Sequence, residues 1–265
     1  MTPTHIAPTY ALARQGLDMR FRFARLVERS WLTEEYVRVR LRGDDLVGFA
    51  SLGADDHCRV FFPAGGEEPA SVEEMRAAPS REYTPFAFGE DWLELEFAIH
   101  GEPGDRGVAA EWAATAPLGS LVGVGGPRGS MIIEGRPQVW FLAGDETAVP
   151  AIRRFAASMP ADAVGTVLVE VPDAARELAV EAPAGVGVEY VHRGDARGGT
   201  ALAERLDALG AEHRPDGDVF VFIASEQAIV KTGRALAVDR WGLEADRIVV
   251  KGYWKRGDVE FHAPH

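Results

Sequence analysis

The spacing of apolar residues changes character near Pro137, and this change constrains the fold more than any other feature of the sequence. Before it, short segments alternate apolar and polar residues between turn-rich stretches, which is typical of antiparallel strands. After it, apolar strand candidates alternate with helical patterns, which indicates a parallel sheet with helices on its faces. Since 265 residues are also many for a single core, we expect two domains, residues 1–135 and 136–265.

The first domain is predicted to be an antiparallel barrel or sandwich, and the second a parallel α/β sheet. Residues 1–19 show no clear period and are expected to form a loose lead-in, and residues 64–79 a surface excursion. The predicted strands are 21–27, 36–41, 57–62, 92–99, 121–124, 138–143, 166–171, 186–191, 219–224 and 248–251. The predicted helices of the second domain are 147–158, 200–209 and 226–240.

Composition excludes several functional classes. The formal net charge of −13 argues against a nucleic-acid binder, because phosphate backbones need clustered Lys and Arg. Cys58 is the one cysteine, which excludes an internal disulfide and any four-thiolate iron–sulfur cluster. The histidines lack the spaced partners of a metal site, so we expect no metal ligands. No apolar run resembles a signal sequence or reaches membrane-spanning length, so we expect a cytoplasmic protein without membrane insertion.

Residues 139–154 are predicted to form a strand, a tight turn and the start of a helix. The apolar run turns at Gly144, Thr147 is the predicted helix N-cap, and Pro150 falls in the first turn. Free amides at such a junction attract a pyrophosphate or a polarised ring edge, so the turn is a candidate nucleotide site. The carboxylate of Asp145 would repel phosphate, and a junction that binds nothing is the alternative.

A second candidate site is Arg81-Glu-Tyr-Thr, on a predicted strand. Arg81 and Tyr83 are two residues apart and would share one face, while the proline after Thr84 holds that residue extended. An Arg fork pairs with pyrophosphate, a Tyr ring stacks on a planar heterocycle, and a Thr hydroxyl reaches a ring nitrogen. The segment therefore suits a flat, charged ligand, and the alternative is a strand with a surface Arg and a half-buried Tyr.

Two further clusters have a chemical interpretation. Small residues at Gly107, Ala109 and Ala110, at a predicted helix start after His100, would let phosphate oxygens approach backbone amides. The alternative there is a glycine-rich loop. Near the C-terminus a cationic cluster beside Trp254 could select an anionic small ligand, or could be a solvated charged face. The cluster consists of Lys251, Lys255 and Arg256.

Six motifs occur together in one order. They are Arg81-Glu-Tyr-Thr, His100-Gly, Gly107-Val-Ala-Ala-Glu-Trp, Gly126-Pro-Arg-Gly-Ser, Ala143-Gly-Asp-Glu-Thr-Ala-Val-Pro-Ala and Gly252-Tyr-Trp-Lys-Arg-Gly. In order and spacing the chain resembles the siderophore-interacting protein family over about residues 21–257. Members are FAD-dependent ferric-siderophore reductases with the ferredoxin-NADP reductase fold. The resemblance implies a mixed β and α/β fold, with an N-terminal antiparallel six-stranded β-barrel that binds FAD and a C-terminal α/β domain with a parallel sheet that binds NAD(P)H.

The resemblance also implies the residues of the FAD site. Arg81 would bind the FAD pyrophosphate, Tyr83 would pack on the isoalloxazine, and Thr84 would contact the flavin near N5. Tyr83 and Thr84 are therefore the predicted catalytic residues, and His100 would lie along the FAD. The amides that would hold the FAD phosphates are those of Gly107, Val108, Ala109 and Ala110.

The second domain would receive the nicotinamide nucleotide at the turn of Asp145 and Thr147, with Trp254 as a further cofactor contact. A flavin is needed between nicotinamide and ferric iron, because the first gives up a hydride and the second accepts one electron. The substrate would be a ferric siderophore whose iron leaves as Fe(II). The protein is expected to be a monomer. The predicted substrate-binding residues are Lys251, Lys255 and Arg256.

Three departures from the family pattern are visible. Phe86 stands where the family usually has Arg, Val108 and Ala110 replace a Pro and a Ser, and Ser225 replaces a Gly. The alternatives are a broad NAD(P)H:ferric chelate or flavin reductase, and a non-catalytic siderophore-binding protein. Either NADH or NADPH fits the sequence. The candidates for a 2'-phosphate contact are Arg153, Arg154, Arg176 and Arg193.

Overall fold

The computed structural model describes residues 8–63, 68–101, 103–258 and 261. The chain forms two compact units. The first unit is Arg14–Met131, and the second contains the described residues up to Ala13 together with those from Ile132 onward. The division falls near the predicted one, except that the first described residues belong with the second unit.

The first unit is built on a curled, seven-stranded antiparallel sheet. The strands up to the end of this part of the chain are β1 (Tyr10–Gly16), β2 (Phe21–Thr33), β3 (Tyr36–Arg42), β4 (Cys58–Phe61), β5 (Ser80–Tyr83), β6 (Ala87–Phe88), β7 (Trp92–Ala98), β8 (Leu121–Gly125) and β9 (Gly129–Gly135). The sheet order is β5-β4-β8-β2-β3-β7-β6. This differs from the predicted six-stranded barrel, because the short strands β5 and β6 pair at the two ends of the sheet.

Strict alternation along β3 and β7 explains why one face of this sheet is buried. Val39 lies opposite Leu95, and the neighbouring core pairs follow the same register. The residues between them point to the other face, where Arg38 and Arg40 pair with Glu96 and Glu94 at 2.6 Å each. A period of two thus separates an apolar core from a ladder of ion pairs.

Two segments of the first half differ from expectation. The predicted loose lead-in contains β1, which pairs with β9, and the buried Tyr10 donates its hydroxyl hydrogen toward the carbonyl oxygen of Val219 at 2.8 Å. This anchoring depends on a residue 209 positions away, so local periodicity does not reveal it. The predicted surface excursion contains α1 (Val72–Arg76), whose Met75 is fully buried. Residues 1–7 and 64–67 lie outside the described part of these segments.

The second unit contains a five-stranded parallel sheet of order β12-β11-β10-β13-β14. Its strands are β10 (Val139–Gly144), β11 (Val164–Val171), β12 (Gly185–His192), β13 (Val219–Glu226) and β14 (Ile248–Trp254). After α2 (Val108–Thr115) of the first unit, the helices are α3 (Val149–Ser158), α4 (Thr200–Asp207) and α5 (Ile229–Arg234), the last continued by a wider π-helical segment, Ala235–Arg240. The predicted alternation of strands and helices is confirmed.

The strand order places a topological switch point between β10 and β13. From β10 the chain proceeds outward to β11 and β12, and it then returns to the other side of β10 with β13 and β14. In open sheets of this kind, ligands bind in the crevice outside the carboxyl ends of the two strands at the switch point. In the described part of the chain, no helix is long and apolar enough to cross a membrane.

Candidate functional site

The two predicted FAD motifs meet around two phenylalanine rings of the first unit. The Tyr83 ring lies 4.1 Å from Phe97 and 6.5 Å from Phe62, measured between ring centroids. Trp112 of α2 lies 5.2 Å from Phe62 and 6.2 Å from Phe97. The same two rings thus contact an aromatic residue of each motif, Tyr83 of β5 and Trp112 of α2. Sequence reasoning quoted Trp112 but missed both phenylalanines.

Strand β5 presents Arg81 and Tyr83 on one face, as their spacing predicts. Their partners on β4 are Val60 and Cys58, which are both buried in the core. Burial raises the pKa of the Tyr83 phenol above its ordinary range, and the nearby positive charge of Arg81 offsets this only in part. The phenol therefore stays protonated at neutral pH. Thr84 follows directly, 7 % exposed.

The start of α2 leaves its first backbone amides without a side-chain cap among the described residues. Gly107 is its N-cap in extended conformation. A Cβ built on Gly107 would meet no atom within 4 Å, so there is open space beside this backbone. Uncapped amides at a helix start favour an anion. Val108, Ala109 and Ala110 follow in the first turn, and His100 is exposed just beyond β7.

A buried carboxylate explains part of the Gly126-Pro-Arg-Gly-Ser motif. The Asp56 Oδ2 atom accepts hydrogen bonds from Ser130 Oγ at 2.6 Å and from Ser51 Oγ at 2.9 Å. It also accepts the amide hydrogen of Gly53 at 3.1 Å. Arg22, which is buried, donates from Nη1 to the carbonyl oxygen of Gly126 at 2.9 Å. These contacts fix the shape of two loops, and no sequence motif predicted them.

The first departure from the family pattern has a visible environment. The guanidinium carbon of Arg38 lies 4.2 Å from the centroid of the Phe86 ring. The same guanidinium donates to Glu96 Oε1 from Nε and Nη2, at 3.0 and 2.6 Å. The ring at position 86 thus stacks on a cation supplied by another strand, at a typical cation–π separation.

The predicted N-cap of the turn after β10 is wrong by two residues. Asp145, not Thr147, caps the short 3-10 turn Glu146–Ala148 that leads into α3. Its Oδ1 atom accepts hydrogen bonds from the Thr147 amide at 2.9 Å and from the Thr147 hydroxyl at 2.5 Å. An aspartate caps at least as well as a threonine, and here it lies two positions nearer the strand.

The other oxygen of Asp145 joins distant strand ends. Its Oδ2 atom accepts hydrogen bonds from Ser225 Oγ at 2.7 Å and from Trp254 Nε1 at 2.8 Å. Asp145 is 1 % exposed, and Ser225 is fully buried. The structure therefore brings the predicted cofactor residues Asp145, Thr147 and Trp254 together, and Ser225 takes part in the same arrangement.

A second polar cluster surrounds Arg193 at the same edge of the sheet. Its guanidinium pairs with Glu146 and lies 3.6 Å from the fully buried Glu170. Glu170 in turn accepts the amide hydrogens of Gly199 and Leu202 at the start of α4, at 2.6 and 2.7 Å. Burial raises the pKa of Glu170, and these two amides oppose the rise. Sequence reasoning gave no role to either glutamate, because their partners are distant in the chain.

The predicted 2'-phosphate arginines have protein partners. Arg193 is held between carboxylates, as described above. Arg153 Nε donates to the carbonyl oxygen of Ala179 at 2.8 Å, and Arg176 pairs with Asp173.

The predicted substrate cations lie on β14 and the turn that follows it. Lys251 is half-buried within the strand, whereas Lys255 and Arg256 are exposed. The Arg256 amide donates to Glu226, and its guanidinium donates to the carbonyl oxygen of Gly198 at 3.2 Å. Within the described residues, no group of three or more His, Cys, Asp or Glu side chains is placed to hold a metal ion.

Two family models match the chain. Residues 25–131 match the model of the siderophore-interacting FAD-binding domain, and residues 137–257 match that of the siderophore-interacting protein. The ferric vibriobactin reductase ViuB of Vibrio cholerae is 30% identical over 88% of this chain and 89% of its own length. An NADPH-dependent ferric-chelate reductase of Escherichia coli is 30% identical over 89% of this chain and 94% of its own.

Solved structures agree in fold. A siderophore utilization protein from T. fusca superposes with a TM-score of 0.81 at 30% identity, covering 95% of this chain and 98% of the other. A ferredoxin reductase of carbazole 1,9a-dioxygenase, 14% identical with a TM-score of 0.64, covers 90% of this chain and 68% of the other and shares the fold. The family models and the full-length relatives together show that the chain belongs to the siderophore-interacting protein family.

Proposed function

We propose that the protein is an FAD-dependent NAD(P)H:ferric-siderophore oxidoreductase that releases iron as Fe(II) in the cytoplasm and works as a monomer. The observation that carries the proposal is that Tyr83, on the same face of β5 as Arg81, packs against the same rings as Trp112 of α2, a helix whose first amides no described side chain caps. This donor set fits FAD, because it combines a guanidinium, a ring surface and free amides. The relatives named as ferric reductases supply the substrate class.

In this proposal the residues of the first unit bind and orient. Arg81 would pair with the pyrophosphate, the amides of Val108, Ala109 and Ala110 would hold its oxygens, and the Tyr83 ring would support the isoalloxazine. Thr84 would donate its hydroxyl hydrogen near N5. Bound FAD supplies the conversion of a two-electron donor into one-electron transfer to ferric iron. No protein nucleophile or general base is required.

The cationic cluster on β14 and the turn after it is the proposed substrate rim. Lys255 and Arg256, which follow β14, are exposed, and Lys251 precedes them within that strand. Ferric catecholates and hydroxamates are bulky and often anionic, so a local positive rim on a chain of net charge −13 would select them.

The variant Lys251→Gln/Lys255→Gln tests this rim. We expect a several-fold higher KM for an anionic ferric chelate and an unchanged FAD content, because the charges act on the substrate and not on the cofactor. Lys231→Gln, which removes an exposed lysine of α5, is the control. Equal kinetics of the double variant and the wild type would remove the two lysines from the site.

The decisive test of the overall proposal is an anaerobic absorbance titration. We expect the purified protein to be yellow and to be bleached by NADH or NADPH.

Rates on ferric siderophores and on ferric citrate, followed with an Fe(II) trap, distinguish a siderophore reductase from a broad ferric-chelate reductase. The second candidate rests on the relative named as an NADPH-dependent ferric-chelate reductase. A colourless protein that binds siderophores would contradict both and indicate a non-catalytic binding protein.

A further inference from the structure

The carboxylate of Asp145 has no capacity left for a ligand. Each of its oxygen atoms already accepts two hydrogen bonds, from Thr147 on one side and from Ser225 and Trp254 on the other. An ionised carboxylate offers about four lone-pair positions, so internal donors fill all of them. At 1 % exposure the group also lies behind the surface, and its negative charge would repel a phosphate.

Asp145 lies where the sheet is expected to bind a nucleotide. Its donors sit at the carboxyl ends of β10, β13 and β14, and β10 and β13 flank the switch point. The two strands approach closely there, since a Cβ on Gly144 would lie 2.8 Å from the carbonyl oxygen of Ala224. One buried carboxylate thus ties the turn after β10 to the ends of β13 and β14, which border the crevice in which open sheets bind nucleotides.

Resting on the proposed reductase function, we infer that Asp145 is a positioning residue of the nicotinamide-nucleotide site. It binds no part of the nucleotide. It holds the ring of Trp254 and the turn at Thr147 in the orientation that does. This changes the role predicted for Asp145 from cofactor ligand to support of the ligands.

The substitution Asp145→Asn separates this role from a general structural one. Each oxygen of Asp145 accepts from one fixed N–H and one rotatable hydroxyl, so the new amide nitrogen opposes either the backbone N–H of Thr147 or the indole N–H of Trp254. The backbone N–H is fixed in the turn, whereas the indole side chain can move, so we expect the nitrogen to face Trp254. Two donors then oppose each other, and the indole is displaced. The hydroxyl of Ser225 can rotate to accept from the amide, so it suffers no such conflict. Trp254→Phe keeps a ring but removes the opposing N–H.

The experiment is a double-mutant cycle with Asp145→Asn and Trp254→Phe in the FAD-loaded protein. Calorimetry measures the dissociation constants of NAD⁺ and NADP⁺ for the wild type. The variants are then compared by their dissociation constants for the nucleotide that the wild type binds more tightly. We expect Asp145→Asn to weaken binding about tenfold and Trp254→Phe less, and we expect the double variant to match Trp254→Phe within about twofold.

The controls keep each outcome informative. Ser158→Ala removes a hydroxyl that donates to Phe155 at the far end of α3, and it should leave the nucleotide affinity unchanged. If Asp145→Asn does not fold, Ser225→Ala takes its place, and it should weaken nucleotide binding while FAD content is retained. If the fold-increases in dissociation constant of the two single variants multiply in the double variant, the positioning role is wrong. An unaltered nucleotide affinity in Ser225→Ala would contradict it too. Neither result would contradict the proposed reductase function. A wild type that binds neither nucleotide would instead overturn the proposed function.

Discussion

Arg81 tests the FAD site most directly, because its guanidinium is tied only loosely to the protein. Its Nη1 atom donates to the carbonyl oxygen of the adjacent Ser80 at 2.7 Å. Charge-assisted hydrogen bonds contribute about 1.5–3 kcal/mol, which corresponds to about 10–150-fold in affinity. We therefore expect Arg81→Met to weaken FAD binding by roughly one to two orders of magnitude.

Quenching of flavin fluorescence on titration into the apoprotein measures this effect. Arg14→Met, at an exposed arginine of β1, is the matched control and should bind FAD normally. Thermal unfolding without FAD should be the same for both variants. An unchanged FAD affinity in Arg81→Met would remove the pyrophosphate role.

At this scale the sequence predicts residue types well and their partners poorly. Arg81 and Tyr83 share a face because a strand has a period of two, which sequence spacing reveals. The partners of Asp145 are 80 and 109 positions away, and no local pattern encodes them. The N-cap was misplaced for a related reason: Asp145 and Thr147 are both good caps, and only the end of β10 decides between them.

The helix α2 allows a test by restoring two residues of the family pattern. Val108 is the first helical residue, where Pro costs no hydrogen bond, and Gly107 before it has ψ 153°, which suits a residue preceding Pro. We expect Val108→Pro to stabilise the first unit by about 0.4–1 kcal/mol. Adding Ala110→Ser should tighten FAD binding about two- to tenfold through one more hydrogen bond.

A matched control exists in α1. Val72 is also a first helical residue after an extended N-cap, so Val72→Pro should stabilise locally without changing the FAD affinity. Denaturant unfolding and flavin titration measure the two effects separately. Because Val108→Pro also removes an amide that the proposal assigns to the FAD phosphates, we expect this single variant to bind FAD more weakly. An unchanged FAD affinity would remove the Val108 amide from the phosphate site.

The strand β1 offers a test in the second unit. Asp218 Oδ2 accepts hydrogen bonds from the Thr9 amide at 2.6 Å and from Arg247 Nη2 at 2.7 Å. Burial raises the pKa of Asp218, but its hydrogen bonds outweigh that effect, and the net shift is downward. A carboxyl group with a depressed folded pKa stabilises above its unfolded pKa and loses that contribution as the pH falls through the folded value.

We therefore expect Asp218→Asn to lose about 1.5–3 kcal/mol of stability at pH 7, because a charged acceptor is removed. The loss should be constant between pH 7 and pH 5 and should shrink below about pH 4, where the wild-type group begins to protonate. Denaturant unfolding at a series of pH values measures it, with the exposed Asp216→Asn as control. A loss that persists undiminished at the lowest pH would exclude the charge as its origin.

Element existence was predictable where the pattern was long, and element ends were not. The predicted helix 226–240 begins only at Ile229, because Glu226 still belongs to β13 and pairs with Trp254 of β14. The two-residue strand β6 has too few residues to show a period, so the sequence pattern did not predict the number of strands in the first sheet. The first error comes from pairing with a strand that is distant in sequence, and the second from a strand too short to show alternation.

For the whole molecule, the change in the spacing of apolar residues near Pro137 predicts an antiparallel sheet followed by a parallel one, and the structure has both. The sequence does not indicate that the first described residues belong to the second unit, because Tyr10 contacts residues more than 200 positions away. The sequence does fix the total charge, however. A net charge of −13 acts on every ligand that approaches, before any local contact forms.

This charge predicts how salt affects the reaction. At about 0.01 M ionic strength the Debye length is about 30 Å, so an anionic ferric chelate feels the whole protein, whereas at about 0.15 M it is about 8 Å and only nearby charges act. Screening removes the repulsion by the distant carboxylates before it removes the attraction of Lys255 and Arg256. We therefore expect the second-order rate constant for reoxidation of the reduced protein by an anionic ferric catecholate to rise with salt. Stopped-flow measurements with a neutral ferric trihydroxamate should show no such rise. A rate that falls with salt for the anionic chelate would mean that the local cations govern the encounter and that the net charge is irrelevant to it.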